Sequence, residues 1–476
     1  MFGFPTGDFK QAIAFLSEKQ VLNPNSRAAL SLLAYCYYYS QDFTSAANTY
    51  EQLVNLFPDV DDYRINYVSS LYQACLYEQA MRASFEMETG LNGRRNSDLL
   101  KLRSAIKYSE DDYASSRKFA QELDDGTDHV DREVNLACLL FKESHVEEAL
   151  IKFTECSRIE PNRHDIMYNM ALCHYTLKNY EESLKILADI IEKGIQDHPE
   201  LNVGLTTEGI DVRSVGNTIT LHETALVEAF NLKASIEYLT GDLESALEAL
   251  TDMPPRSEEE LDPVTLHNQA LMTMDANPGE GFEKLQFLIQ QPSFPPETFA
   301  NLIILYCKYG YHDLAADVMA ENADLTYKLL TSYLYEFLDA LITQQTSAED
   351  AYRKFDEMGS KYTDQMRKLM KQMQEMKAGS QAIASTSVAD TLPQQLTSIT
   401  RQQEELLSLY LPILMSQAKI YWDLEMYSQV EKVFRKSVEF CAEHDVWKLN
   451  VAHVLFMQVC VKGYAVYAVC HASFKL

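Results

Sequence analysis

A chain of 476 residues that is 46% hydrophobic and 11% aromatic is long and apolar enough to bury a large core. Its 70 acidic side chains against 41 Lys and Arg give a net charge of −29, a field that repels nucleic acid phosphates and anionic lipid surfaces and favours basic or neutral partners. No 18-residue stretch is both apolar and free of charge, and the start MFGFPTGDFK has no basic region followed by an apolar one, so neither a membrane span nor a signal peptide is expected.

From the first helix onward a ruler runs through the chain. Alanines recur at Ala12, Ala46, Ala80 and Ala114, each 34 residues after the last, Pro24 and Pro58 keep the same interval, and the phase returns at Ala149, Ser183, Ala246, Ala316 and Ala351. Thirty-four is the tetratricopeptide period, in which each unit is two antiparallel helices joined by a turn. Numbering each unit from 1, small residues are needed at 8 and 20, where the two helices touch. Position 8 is Ala34, Ala137, Ala171, Ala234, Ala270, Ala418 and Ala452. The turns SQDF, LKNY, TGDL and YGYH supply Asp, Asn or Gly for capping and for unusual backbone angles.

The fold class that follows is all-α, a tetratricopeptide-repeat superhelix or α-solenoid of antiparallel helix pairs. In chain order, N-terminal repeats fill 1–200, beginning with a second helix that has little of a first. A structured non-repeat insertion occupies 201–224, and central repeats ending in a polar, methionine-spaced helix occupy 225–378. Residues 379–403, rich in Ser, Thr, Gln and Ala, read as a flexible linker. A last helix pair and an unpaired first helix take 404–458, and 459–476 form a tail of different character. Nine cysteines with no C-x-x-C pair read as reduced thiols.

In such a stack the first helices line the inside, so positions 2, 5, 9 and 12 face a groove. Position 12 is Tyr38, Tyr72, Phe141, Tyr175 and Tyr238, and later Trp422, a stripe of aromatics suited to an extended proline-rich peptide. These six are the candidate partner-binding residues, with space-filling between first helices as the competing role. A basic clamp for a terminal carboxylate is excluded, because positions 5 and 9 are Ser31 and Tyr35, Ile65 and Ser69, Val134 and Cys138, Tyr168 and Leu172.

No enzyme is expected, and no metal or cofactor. G-x-G-x-x-G, G-x-S-x-G, H-E-x-x-H and the phosphate-loop pattern are absent, and His164 with Asp165, or His444 with Asp445, splay apart as helix neighbours. Glu208, Asp211 and Arg213, between Gly204, Gly209 and Gly216, read as insertion charges that pair with one another or with a partner.

The insertion ELNVGLTTEGIDVRSVGNT, with ALTDMPPRSEEELDPVTLHNQALM, GFEKLQFL, PPETFANLIILYCKYGYHDLAADV and KIYWDLEMYSQVEKVFRKSVEFCAEHDVWKLNVAHVLFMQ, resembles the Fleer-type tetratricopeptide repeat protein 30 family. The resemblance runs from about residue 8 to residue 458. It implies a non-enzymatic IFT-B core subunit of intraflagellar transport, serving anterograde transport and cilium assembly, that wraps a proline-rich segment of another IFT-B core subunit. It also implies an indirect link to polyglutamylation of axonemal tubulin, and residence in the cilium with a cytoplasmic pool. The alternative is a cytosolic adaptor that recruits tubulin-glutamylating enzymes through surface charge. The chain departs from the family at 379–403 and at VCVKGYAVYAVCHASFKL, where further repeats are expected. It therefore reads as C-terminally truncated, with a last helix that frays and self-associates.

Overall fold

The computed structural model describes residues 9–90, 96–124, 126, 128–204, 214–382 and 392–462. Among these every regular element is a helix. The chain divides into two compact units, one ending at Thr298 and the other beginning at Phe299.

In the first unit, α1 (Phe9–Leu22) packs on α2 (Arg27–Tyr39), which pairs with α3 (Phe43–Leu56). The pairs α4 (Asp61–Gln73) with α5 (Tyr77–Gly90), α6 (Ser97–Ser109) with α7 (Tyr113–Gln121), α8 (His129–Lys142) with α9 (Val146–Ile159), and α10 (His164–Thr176) with α11 (Tyr180–Asp197) follow. A 3-10 turn at Pro199–Leu201 and the short α12 (Ile219–Glu223) bracket the insertion. Then α13 (Leu226–Thr240) pairs with α14 (Leu243–Thr251), and α15 (Pro263–Thr273) with α16 (Pro278–Ile289).

A repeated backbone device turns the chain between the helices of every pair of the first unit except α15 and α16. The first helix ends in a left-handed residue, such as Gln41, Cys75, Asp111, Ser144, Lys178 or Gly241. The next-residue N–H then reaches back to a carbonyl five positions earlier, as from Asp42 to Tyr37 at 3.0 Å and from Asn179 to His174 at 2.8 Å. This six-to-one bond satisfies a carbonyl the helix leaves open and turns the chain at once. Asp42, Asp112 and Asp242 then cap the second helix by accepting from the N–H of Ser45, Ser115 and Ser245.

Small residues sit where the two helices touch. Ala34, Ala46, Ala80, Ala137, Ala149, Ala171 and Ala246 are fully sealed. The third pair departs from the ruler: Ala114 is exposed, and Ser116 is sealed in its place and bonds Ser104 at 3.1 Å. The true contact falls two residues later than 34-residue counting puts it, because the connection before α6 is longer. Ala315 rather than Ala316 is likewise the sealed residue of its helix.

At α15 and α16 the approach is closest. A Cβ on Gly281 would collide with the Met274 sulfur and lie 3.0 Å from the Ala270 carbonyl oxygen, which is backbone and cannot yield. Gly281→Ala is expected to lower stability by about 1–2 kcal/mol in chemical denaturation, outweighing the helix propensity alanine gains; a stabilised variant would contradict this contact.

The second unit begins in α17 (Glu297–Lys308), followed by α18 (His312–Glu321) and α19 (Ala323–Leu329). Helices α20 (Ser332–Thr346) and α21 (Ala348–Ala382) pack together, α22 (Leu392–Asp423) packs along α21 and pairs with α23 (Tyr427–Cys441), and α24 (Asp445–Lys462) docks on α23. The flexible linker is corrected here. Residues 379–382 and 392–403 are helical, and only 383–391 lie outside the described residues. Pro393 sits in the first turn of α22, where its fixed φ favours helix and its missing N–H leaves no bond unmade. Each further residue then adds a hydrogen bond without a new nucleus, so sparse apolar content is no bar.

Helix α24 docks through Trp447, whose Nε1–H donates to Ser437 Oγ at 2.8 Å and whose ring meets Phe434 edge-on. Val454 and Met457 are buried beside it, while Ala452, Leu449, Leu455 and Phe456 are exposed. Residues 459–462 continue the helix, and the rest of the tail lies outside the described residues. The described cysteines are free thiols, and burial pushes those of Cys138 and Cys307 up to about 11 and those of Cys173 and Cys441 up to about 12. They are thus poorly ionised at neutral pH.

Candidate functional site

The six aromatics of position 12 do not share one environment. Tyr38, Tyr72, Phe141 and Tyr175 are half-buried, Tyr238 is 45% exposed, and Trp422 is 2% exposed. Trp422 is therefore corrected as a binding residue: its ring meets Tyr427 and His453 within the core of the second unit and offers no face to a ligand.

A common contact occupies four of the six, since Phe141 and Tyr238 have Val146 and Leu243 at the matching place. A long side chain near the end of a first helix lies over the turn, and there it meets the aromatic five residues on, which opens the second helix. Tyr38 meets Phe43 at 5.5 Å, Tyr72 meets Tyr77 at 5.9 Å, Tyr175 meets Tyr180 at 6.0 Å and Trp422 meets Tyr427 at 5.1 Å between centroids. The hydroxyls of Tyr38 and Tyr72 also share hydrogen bonds with Ser69 and Ser109, each on the following first helix, at 3.2 Å. These rings staple a unit to itself and to its neighbour. Tyr108 does the same with Tyr113 at 6.2 Å and escaped the sequence reading because the ruler slips in that unit. The spacing aromatic-x4-aromatic across each turn would have found it.

A half-open hollow in the first unit is lined from other rows. A cavity of about 450 Å³ is bounded by Tyr168 of α10, Glu228 and Asn231 of α13, Val264 of α15, Leu221 and His222 of α12, and the 293–295 loop. Tyr168 and Asn231 stand at position 5 of their units, Glu228 and Val264 at position 2, so this wall is the inward face that the repeat geometry specifies. None of the six predicted aromatics lines it.

The insertion and the segment after α14 build the cavity floor. Gly204 and Val215 donate their N–H groups to the carbonyls of Asp252 and Pro255, both at 2.9 Å. Arg256 is 2% exposed; its guanidinium donates to Asp262 at 3.0 Å and to Asn217 at 3.4 Å. Asp262 in turn accepts from Thr265 Oγ1 at 2.6 Å and caps α15 by accepting the Thr265 N–H at 2.9 Å. Glu260 accepts from Ser214 Oγ at 2.6 Å, and these bonds, against the opposing effect of burial, hold its carboxyl below the usual range. Of the insertion's proposed charges, Glu208, Asp211 and Arg213, and Gly209 with them, lie outside the described residues.

Arg256 Nε is buried without a hydrogen-bond partner among the described residues, whereas Glu228 and His222, which border the same cavity, are exposed. Glu228 is an exposed residue at the edge of the cavity; partial desolvation first, and then the charge of Asp262, pushes its carboxyl up. Partial desolvation and the Arg256 charge hold the exposed His222 imidazole below its ordinary value. The Tyr168 hydroxyl is pushed up by enclosure and by Glu228 and Asp262.

The first unit also meets its own beginning. Lys10 of α1 pairs with Glu259, the Gln41 amide donates to the Glu260 carbonyl at 3.4 Å, and the ring of Tyr39 lies 6.4 Å from that of His222. Helices α1 and α2 therefore close on the acidic hook Glu258–Glu260 and the insertion.

A family model described as the intraflagellar transport protein 70 C-terminal domain matches residues 298–466, and one described as intraflagellar transport protein 56 matches residues 30–206. Intraflagellar transport protein 70A of Xenopus tropicalis is 55% identical over 450 residues, which is 94% of this chain and 67% of that protein. The Danio rerio protein of the same name is 56% identical over 452 residues, 95% of this chain and 67% of its own, and intraflagellar transport protein 70B of Rattus norvegicus is 55% identical over 459 residues, 94% and 67%. Among solved structures, a tetratricopeptide repeat protein from Parabacteroides merdae aligns with 62% of this chain and 99% of its own, at 12% identity and a TM-score of 0.38.

Proposed function

The chain belongs to the intraflagellar transport protein 70 family, so it is a ciliary transport subunit and not an enzyme, and from that premise we propose that it is a scaffold of the IFT-B complex whose first unit wraps an extended, proline-rich segment of another subunit. The observation that supports this reading is the half-open hollow of the first unit, lined by inward positions of α10, α13 and α15, with α1 meeting the acidic hook where Lys10 pairs with Glu259. An extended segment with polyproline geometry loses little entropy on being held and presents flat rings to tyrosines. The half-buried rungs Tyr38, Tyr72, Phe141 and Tyr175, and the exposed Tyr238, do not line that cavity and contribute only where the segment runs beyond it. Anterograde transport and cilium assembly follow from holding the complex together, and tubulin polyglutamylation follows indirectly, from delivery of the modifying enzymes.

Val264 is 45% exposed and lines the cavity, so Val264→Arg fills the interior without disturbing a packed core. Co-purification of IFT-B subunits from ciliated cells is expected to fall about tenfold or more, with circular dichroism and melting unchanged. Native-level recovery of the complex by this variant would sink the reading. The net charge of −29 favours the other role, an adaptor holding a basic enzyme at its outer surface. That interaction would ignore Val264→Arg and weaken steeply with salt.

A further inference from the structure

We infer that the seam where α1 and α2 meet the Glu258–Glu260 hook is a latch, which parts while the helix pairs stay folded and so admits an extended segment from the side. The inference rests on the wrapped-segment reading above and adds to it the route of entry. A segment that runs into folded protein at both ends cannot be threaded end-first, so the turn of helices must open somewhere. The groups that meet across the seam are held more firmly on their own sides. Tyr39 lies 4.5 Å from Tyr35 and 5.3 Å from Tyr38, both on α2, but 6.4 Å from His222 between ring centroids. The Glu260 carbonyl already accepts from Asn217 Nδ2 at 2.9 Å, so the 3.4 Å bond from the Gln41 amide breaks without leaving that carbonyl bare. The Glu260 carboxylate is kept by Ser214 and by the Ser257 N–H. The side chains of Lys10 and Glu259, the ion pair of the seam, are 77% and 70% exposed, and water takes up both charges when they separate. Opening along this line leaves each of these groups with a partner or with water.

Packing across the seam is equally thin. Among the described residues, none of α12–α16 packs along α1, α2 or α3. Gln41 borders two hollows, the one of about 450 Å³ and another of about 580 Å³ that reaches Phe287 of α16. By contrast, Ala47, Val68, Leu71, Leu99 and Ile106 form one buried cluster running from α3 to α6. A protein opens where few apolar contacts are lost, which is at such a seam rather than through such a cluster.

The test uses the full chain and an uncharged proline-rich segment in two forms, one a fluorescent peptide with free ends and one carried between two folded fluorescent domains. Lys10→Glu sets like charges across the seam. At low salt it is expected to quicken both association and dissociation of the domain-flanked form about fivefold, and adding Glu259→Lys is expected to restore the native rates. Charge steering would move association alone. Joining Lys10→Cys to Glu259→Cys with a short bis-maleimide is expected to slow association of the domain-flanked form at least about tenfold, against a native chain treated alike, while the free peptide still binds. A joined chain that takes up the domain-flanked form at the native rate would overturn the latch alone, as would Lys10→Glu with unchanged rates or a native chain that binds only the free peptide. Failure of both forms to bind the native chain would overturn the wrapped-segment reading and the latch with it.

Discussion

Arg256→Ala is expected to destabilise the first unit by about 2–4 kcal/mol, and to free the hook it holds. The guanidinium is buried at 2% exposure and, among the described residues, ties Asp262, Asn217 and the Glu260 carbonyl into one network, the last at 3.5 Å. Truncating it leaves Asp262, 26% exposed, charged beside Glu228 with no cation between them, and leaving one partner of a buried pair uncompensated is the expensive way to break it. The value stays near the lower end of such losses because Asp262 keeps its bonds to the start of α15. Arg256→Lys keeps the charge but loses the fork, and should recover about half of the stability. Denaturant unfolding of both variants, with limited proteolysis of the 252–262 segment, reads the result. A loss below about 1 kcal/mol for the alanine variant, with the hook still protected, would show that the network is not what fixes the cavity floor.

Trp422→Ala is expected to cost about 3–5 kcal/mol in the second unit and to leave peptide binding by the first unit untouched. The indole is fully enclosed, edge-on to Tyr427 at 5.1 Å and tilted against His453 at 5.7 Å, so its removal opens a cavity between α22, α23 and α24. Calorimetry resolves the loss, and peptide affinity measured on the same sample separates a packing role from a binding role. Weakened binding with unchanged stability would restore Trp422 to the partner-facing set.

The slip at Ala114 shows where counting fails. The repeat period is an average over connections, and two added residues in one of them move the next contact without changing the composition that made the period visible. Local spacing is firmer than the ruler: twelve residues separate Ala34 from Ala46, Ser104 from Ser116 and Ala171 from Ser183, because that interval is set by one helix end, one tight turn and one helix start. Reading outward from each turn would have placed Ser116 and Tyr108 correctly. The linker reading fails for a related reason: low apolar content argues against an independent core, yet α21 and α22 continue as helix beyond the turns that pack.

By itself the sequence determined the helix pairs, the small residues at their contacts, the tight turns and the absence of catalytic motifs, because each depends on residues within about one repeat of one another. Tertiary structure alone decided which inward side chains face open space. At position 12 the rings of Tyr38, Tyr72, Tyr175 and Trp422 are spent on staples across their own turns, whereas Tyr168, Glu228, Asn231, Arg256 and Val264 come together only when the insertion and hook dock against the repeats. No period in a sequence encodes that meeting, because it arises from how a non-repeating segment fills the space the repeats enclose.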